Sequence, residues 1–129
     1  MPVREAELIW MNGKKIPWGE ARVHVLTHAL HYGSSIFEGM RCYSTRRGPA
    51  VFRLGEHLRR LEESCRIYRM EMPYSQAVLA EATLDLIAAN GFEACYVRPM
   101  VFRGYGEMGV NPLRNPLEMG MTAGQVRAR

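Results

Sequence analysis

The sequence predicts an α+β domain in which two main helices cover an antiparallel sheet. An Asn12-Gly13 pair between two apolar runs is typical of a β-hairpin near the start of the chain. Residues 55–90 carry apolar side chains at helical spacing, and residues 95–102 return to a strand pattern. In a chain of 129 residues, this order of strands, helices and strand indicates one layered domain.

The first half of the chain contains most of the predicted strands. Residues 8–11 and 16–18 flank the hairpin turn. Thr27 can cap a short helix over residues 28–32, and Gly33 can end it. Residues 36–43 are rich in β-branched and aromatic side chains, and a turn at residues 46–49 leads into a paired strand over residues 50–53.

Two amphipathic helices follow, the first between residues 55 and 70 and the second from Pro73 to Asn90-Gly91, with Ser75 as its N-cap. Their inward positions are predicted to be Leu54, Leu58, Leu61, Cys65, Tyr68, Leu79, Ala82, Leu86 and Ala89. Residues 95–102 form the next strand. Because Pro99 has no N–H to donate, that strand is expected at an edge of the sheet or with a bulge.

The pattern weakens after Gly104, where Asn111-Pro112 and Asn115-Pro116 indicate turns. Residues 122–129 show neither a helical nor a strand period. We therefore expect a domain over residues 1–121 and an irregular tail over residues 122–129, which a truncated or altered end of the chain would explain.

Composition argues against several classes of function. No apolar run approaches the roughly 20 residues that span a bilayer, and Glu5 and Glu7 stand where a signal peptide needs apolar residues, so we expect a cytoplasmic protein without a membrane partner. The net charge is +4, but 17 basic residues are interleaved with 13 acidic ones, which argues against nucleic-acid binding. The three cysteines form no C-x-x-C pair, which argues against a disulfide framework or a zinc ribbon.

Two motifs fit known sites only in part. Residues 104–109 match G-x-G-x-x-G, but Pro112 breaks the helix that a dinucleotide site would need. His24, His28 and His31 would share one face of a continuous helix and could bind zinc there. If Thr27 begins the helix, His24 lies outside it and the histidines serve packing and hydrogen bonding, so we expect no metal site.

Strand alternation places candidate binding residues together. Phe37, Gly39 and Arg41 share one face of their strand, and Tyr96 and Arg98 share a face of another. These faces form either one cavity with aromatic walls and guanidinium groups for a carboxylate, or two surfaces whose arginines reach solvent.

Arg59 and Arg60 leave a similar choice open. They either bind a phosphate or pair with Glu63 and Glu56 at i, i+4 spacing on an exposed helix.

Six segments carry a family resemblance: residues 9–13 (IWMNG), 23–33 (VHVLTHALHYG), 37–41 (FEGMR), 56–61 (EHLRRL), 96–99 (YVRP) and 109–112 (GVNP). Together they resemble the branched-chain amino acid aminotransferases, which are fold-type IV pyridoxal-phosphate enzymes. The resemblance implies the small N-terminal domain of a homodimeric enzyme that moves an amino group between leucine, isoleucine or valine and 2-oxoglutarate. It also implies pyridoxal 5'-phosphate as the cofactor, with amino acids and 2-oxo acids as the small-molecule partners.

The same resemblance assigns roles to individual residues. It implies that Arg60 contacts the cofactor phosphate and that two further residues, Tyr32 and Val110, reach the site of the neighbouring subunit. The positions implied to line the substrate pocket are Phe37, Gly39, Arg41, Tyr96 and Arg98.

One departure from the family concerns catalysis. Family members carry a Schiff-base lysine in a second, large domain, whereas the only lysines here are Lys14 and Lys15 in the predicted hairpin turn. We therefore expect no catalytic residue within this chain and no turnover by the chain alone. The alternative is a non-catalytic binding module for phosphorylated or dicarboxylate ligands that uses Arg41, Arg60 and Arg98.

Overall fold

The computed structural model describes residues 4–125, which form seven strands and three α-helices. The strands are β1 (Leu8–Met11), β2 (Lys14–Pro17), β3 (Ser35–Phe37), β4 (Met40–Thr45), β5 (Gly48–Val51), β6 (Cys95–Arg103) and β7 (Leu117–Gly124); the helices are α1 (His28–Tyr32), α2 (Leu54–Ile67) and α3 (Gln76–Ala89). All strand pairs are antiparallel, in the order β2-β1-β7-β6-β4-β5, and β3 also pairs with β6. The predicted α+β class is therefore confirmed.

Local signals in the sequence place several elements correctly. The hairpin turn puts Asn12 at φ 49° and Gly13 at φ 89°, the left-handed conformations that an Asn-Gly pair adopts readily. Ser75 caps α3, and its Oγ accepts the N–H of Val78 at 3.2 Å. Thr27 precedes α1 as predicted, but its hydroxyl donates to the carbonyl of His24 instead of capping the helix.

Pro99 divides the strand predicted over residues 36–43 into β3 and β4. Phe37 pairs with Met100 and Met40 pairs with Val97, so the two short strands keep one register along β6. Between them the Pro99 carbonyl accepts the Glu38 N–H at 3.0 Å, but the Pro99 nitrogen on the same side has no hydrogen to return. The expectation that β6 is an edge or bulged strand is wrong, because β6 is interior and unbroken and the interruption falls in its neighbour.

The expected irregular tail begins too early. Thr122, Ala123 and Gly124 belong to β7, which pairs with β6 along its length and contacts β1 at Met121. This strand has no aromatic residue and only one β-branched residue, Thr122, so it carries little of the signal on which strand prediction depends. Residues 126–129 lie outside the described residues.

The helices cover one face of the sheet and leave the other largely open. The buried core between helices and sheet includes Met40, Val97, Val101, Met119 and Met121 with Leu58, Leu61, Leu79 and Leu86. Tyr68 and Ala89, predicted to point inward, are exposed because they lie at or beyond the ends of their helices. We call the opposite side the open face; it carries Phe37, Arg41, Tyr96, Arg98, Met100 and Phe102.

All three cysteines are free and belong to the buried core. Burial raises the pKa of Cys65 to about 11 and that of Cys95 to about 12, so these thiols stay protonated near neutral pH. They serve as core side chains.

Candidate functional site

Arg98 is held between two aromatic side chains on the open face. Its guanidinium carbon lies 4.4 Å from the ring centre of Phe37 and 5.5 Å from that of Tyr96. The Nε and Nη2 atoms donate long hydrogen bonds to Tyr96 Oη, at 3.4 and 3.3 Å. The strand register builds this contact, because β3 brings Phe37 beside β6.

Gly39 makes room for the Tyr96 ring in the gap between β3 and β4. A Cβ atom at position 39 would overlap Tyr96 Oη and lie about 3 Å from the ring carbons. Gly39 is not among the glycines with a positive φ, so the close approach of the ring is what favours a glycine here.

The predicted walls meet, but they form a surface site and not an enclosed cavity. Phe37 is 56% exposed, and Arg41, which lies opposite Tyr96 in the ladder, is exposed as well. An apolar concavity of about 350 Å³ lies beside this surface, between the open face and residues 21–30. Arg98 lines its edge. The sequence alternatives are therefore both partly realised: the residues cluster, and their arginines reach solvent.

Arg60 contacts a buried carboxylate on the other side of segment 37–39. Its Nε donates to Glu38 Oε1 at 2.6 Å and its Nη2 donates to Oε2 at 2.8 Å. His57 Nδ1 donates to the same Oε2 at 3.1 Å. Glu38 is 6% exposed, whereas the Arg60 side chain is 65% exposed. The guanidinium is therefore fixed along one edge and open to solvent along the other.

This ion pair changes the electrostatics of both partners. The Arg60 hydrogen bond, with a smaller contribution from His57, holds the pKa of Glu38 below its usual value although burial opposes the shift. The same contact raises the pKa of Arg60. Among residues 4–125, neither i, i+4 pair predicted on α2, Glu56 with Arg60 or Arg59 with Glu63, is formed. Arg60 pairs instead with Glu38, in the gap between β3 and β4.

Tyr32 and Val110 lie close to each other at a second exposed surface. The Tyr32 hydroxyl donates to the Met108 carbonyl at 3.2 Å. The buried His28 ring lies between them and donates from Nε2 to the Val110 carbonyl at 3.0 Å. Because a carbonyl can only accept, Nε2 carries the hydrogen, and Nδ1 lies 2.6 Å from Ser34 Oγ. His28 thus fixes the loop whose tip, Val110, is 71% exposed.

The two partial motifs have structural roles in this fold. His24 precedes α1, stacks on Tyr105 at 4.5 Å and accepts the N–H of Leu26 at Nδ1. Over the described range 4–125 no group of three potential metal ligands occurs. Residues 104–109 lead into a single 3₁₀ turn at Pro112–Arg114, which is too short for a dinucleotide site.

Sequence reasoning missed Glu38 and His57, whereas His28 has the packing and hydrogen-bonding role expected for the histidines. A usable signal was present for Glu38, since it alternates with Met40 and Cys42 on the side of the strand that faces the core. An acid at such a position requires a buried partner. The partner itself could not be identified from spacing, because Glu38 and Arg60 lie on different elements.

No helix within residues 4–125 has the length and apolar character needed to cross a membrane.

Comparison with known proteins adds a family to this geometry. Residues 35–123 match the amino-transferase class IV family. The branched-chain-amino-acid aminotransferase of Salmonella typhimurium is 49% identical over 112 residues, which is 87% of this chain and 36% of that protein. The chain thus spans about a third of the length of this curated relative.

Solved structures agree in fold. A crystal structure of the Escherichia coli branched-chain amino acid aminotransferase superposes with a TM-score of 0.92 and 44% identity, over 96% of this chain and 41% of that one. The branched-chain amino acid aminotransferase of Thermobaculum terrenum in its PLP-form gives a TM-score of 0.85 and 29% identity, over 97% of this chain and 42% of that one.

Proposed function

The chain belongs to the class IV aminotransferases, and we propose that it forms the small N-terminal domain of a branched-chain amino acid aminotransferase. In this proposal the amino group moves between leucine, isoleucine or valine and 2-oxoglutarate. One observation carries the proposal: segment 37–39 is contacted by a guanidinium group on either side, Arg98 at Phe37 and Arg60 at Glu38. Besides binding the α-carboxylate that all its substrates share, such a reaction needs one anion site for a cofactor phosphate and one for the second carboxylate of glutamate.

Arg60 would hold the phosphate of pyridoxal 5'-phosphate. Its exposed edge presents free N–H groups, and its other edge cannot move away because Glu38 holds it at 2.6 and 2.8 Å. A guanidinium with one free edge fits a phosphate monoester. When bound, the cofactor supplies an electron sink for the reacting carbon of the substrate.

The open face would hold the substrate side chain. Phe37 and Tyr96 supply an apolar wall for a branched aliphatic group, and Gly39 lets that group approach the backbone. Arg98 and Arg41 supply positive charge for the second carboxylate of glutamate or 2-oxoglutarate. Hydrophobic and acidic substrates would thus share one surface.

A second copy of the protein would complete the site. Tyr32 and Val110 are exposed, and so are further apolar side chains within residues 25–32 and 105–113: Val25, Leu30, Tyr105, Met108 and Leu113. Exposed apolar side chains of this kind favour burial against a partner. We propose a homodimer in which Tyr32 and Val110 reach the partner's substrate.

Covalent chemistry would need a lysine other than the two in this chain. Lys14 and Lys15 begin β2, and Lys15 pairs with Asp85 of α3 at 3.8 Å, on the helix-covered side of the sheet. Lys15 is therefore engaged on the side of the sheet opposite the open face. Residues 1–129 alone are therefore proposed to bind and orient without turnover.

The test is an assay of the complete protein that carries this chain, purified from its source. We expect glutamate to form from 2-oxoglutarate with leucine, isoleucine or valine as donor, and little glutamate with aspartate. The isolated chain of residues 1–129 should form none. Absence of turnover by the complete protein, together with binding of phosphorylated or dicarboxylate ligands, would contradict the proposal and favour the non-catalytic module.

A further inference from the structure

Glu38 is the only acidic residue between positions 4 and 125 that is buried. We infer that Glu38 is a positioning residue for phosphate recognition, fixing one edge of the Arg60 guanidinium so that the other edge faces the phosphate. The inference rests on the proposed function, which gives Arg60 its ligand. Glu38 itself would not touch the cofactor.

The backbone at Glu38 is anchored by the central strand. Its N–H donates to the Pro99 carbonyl at 3.0 Å, inside the gap that the proline opens between β3 and β4. β6, which carries Pro99, pairs with β7 along its length. The carboxylate therefore starts from a fixed point in the sheet, and its position does not depend on a mobile loop.

The contact with Arg60 is bidentate and uses a defined edge of the guanidinium. Nε and Nη2 each donate to a different carboxylate oxygen. This geometry leaves both N–H groups of Nη1 and the outer N–H of Nη2 free. Because the guanidinium is planar, fixing one edge also fixes the direction in which the remaining donors point.

His57 restricts the carboxylate in turn. It lies one turn before Arg60 on α2 and donates from Nδ1 to Glu38 Oε2 at 3.1 Å. Because His57 holds one carboxylate oxygen independently of Arg60, the carboxylate cannot turn when the Arg60 side chain moves. The three side chains form one fixed unit between the β3–β4 gap and α2.

Two other roles for Glu38 make different predictions. As a simple tether between strand and helix, Glu38 would support all ligands equally. As a charge, it would repel an incoming phosphate, so that neutralising it would tighten phosphate binding. Only the positioning role predicts that removal of the negative charge weakens binding of the phosphate group in particular.

The experiment titrates the cofactor-free form of the complete protein with pyridoxal 5'-phosphate and with pyridoxal, which lacks the phosphate. For Glu38→Gln we expect the Kd for the phosphate ester to rise about 10-fold, as for the loss of roughly one charge-assisted hydrogen bond between Arg60 and the phosphate. The Kd for pyridoxal should stay within about 2-fold of the wild-type value. Glu63→Gln is the control, because it neutralises an exposed acid on the helix that carries Arg60, and it should change neither value. Equal weakening of both ligands, or tighter binding of the phosphate ester, would overturn the inference.

A double-mutant cycle with Arg60→Met tests whether Glu38 acts through Arg60. We expect Glu38→Gln to cause no further loss of phosphate affinity once Arg60 is absent, and independent, additive losses would contradict this. His57→Gln removes only the second contact. It should weaken phosphate binding about 2- to 5-fold, and it carries the test if Glu38→Gln does not fold; an unchanged phosphate Kd in a folded His57→Gln protein would then overturn the inference.

The two proposals fail in different ways. If the wild-type protein binds pyridoxal 5'-phosphate no better than pyridoxal, the proposed function fails and this inference fails with it. Suppose instead that the wild type prefers the phosphate ester and that Arg60→Met abolishes this preference. If Glu38→Gln then leaves the preference intact, only the inference about Glu38 fails.

Discussion

Arg60 and Arg98 lie on opposite sides of segment 37–39 and are held by different interactions. A buried carboxylate fixes Arg60 along one edge, at 2.6 and 2.8 Å. Arg98 rests on the ring of Phe37 and makes only long hydrogen bonds to the Tyr96 hydroxyl. None of the acidic side chains in the described part of the chain pairs with Arg98.

The difference suits two kinds of anion. Glu38 fixes the orientation of Arg60 and offsets part of its charge. Such a rigid site suits a phosphate that stays bound. Arg98 keeps its full charge, and the face of an aromatic ring holds it less strictly than a carboxylate would. A carboxylate that enters and leaves in each catalytic cycle is better served by the second arrangement.

Among variants that keep both arginines, the largest expected effect comes from Gly39→Ala, which disturbs the Arg98 side. In Gly39→Ala the new Cβ must displace the Tyr96 ring, and Arg98 loses its hydrogen-bonding partner. We expect the KM for 2-oxoglutarate to rise 10-fold or more and stability to fall by about 1–3 kcal/mol, the usual range for overpacking. Gly55→Ala, where a Cβ meets open space, is the control in steady-state assays and thermal unfolding. Equal behaviour of the two variants would contradict the account.

Removing either member of the Arg60–Glu38 ion pair should lower stability, but by different amounts. Arg60→Met leaves a buried carboxylate without its main donor, whereas Glu38→Gln leaves an exposed guanidinium that water can solvate. Arg60→Met should therefore lower the unfolding midpoint of the complete protein at neutral pH more than Glu38→Gln does. The reverse order would show that Glu38 does not depend on Arg60.

Acid titration sharpens the comparison. Because the folded pKa of Glu38 lies below its ordinary value of 4.5, the carboxylate stabilises the fold above that pH. The contribution is lost as the pH falls through the lowered pKa. The difference in unfolding midpoint between wild type and Glu38→Gln should stay constant from about pH 7 to about pH 5 and shrink below that. A difference that grows on acidification would contradict the assigned ion pair.

The smallest effect concerns the ring beneath Arg98. Phe37→Leu keeps an apolar wall but removes the cation–π contact, which is worth about 0.5–1 kcal/mol at an exposed site. We expect the KM for 2-oxoglutarate to rise about 2- to 5-fold with little change in the KM for leucine. Equal changes for both substrates would mean that Phe37 acts only as an apolar wall.

Local chemistry made much of the fold predictable. Asn12-Gly13 and Ser75 gave the hairpin and the start of α3, since their effects depend on backbone geometry a few residues away. β7 was missed because Met119 and Met121 carry no strand signal of their own, although the sheet buries both completely. Pro99 was expected to interrupt β6, in which it lies. It interrupts the neighbouring strand at Glu38 instead, because Pro99 has no N–H for the Glu38 carbonyl.

The candidate site divides in the same way. Strand alternation placed Phe37 on one strand face and Tyr96 with Arg98 on another, but it left open whether the two faces meet. The pairing of β3 with β6 brings them together. The partner of Arg60 was not accessible in this manner. Helical spacing offered Glu56, and only the tertiary packing of α2 against the β3–β4 gap selects Glu38 instead.

The most direct test of the central claim, that Arg98 and Arg60 serve different anions, is the ratio of kcat/KM for glutamate to kcat/KM for leucine in Arg98→Met. We predict that this ratio falls about 30-fold or more in the complete protein, as expected for the loss of a charged contact worth roughly 2–3 kcal/mol. The same ratio should stay near the wild-type value in Arg47→Met, which removes an exposed arginine from the β4–β5 turn. An unchanged ratio in Arg98→Met would contradict the account.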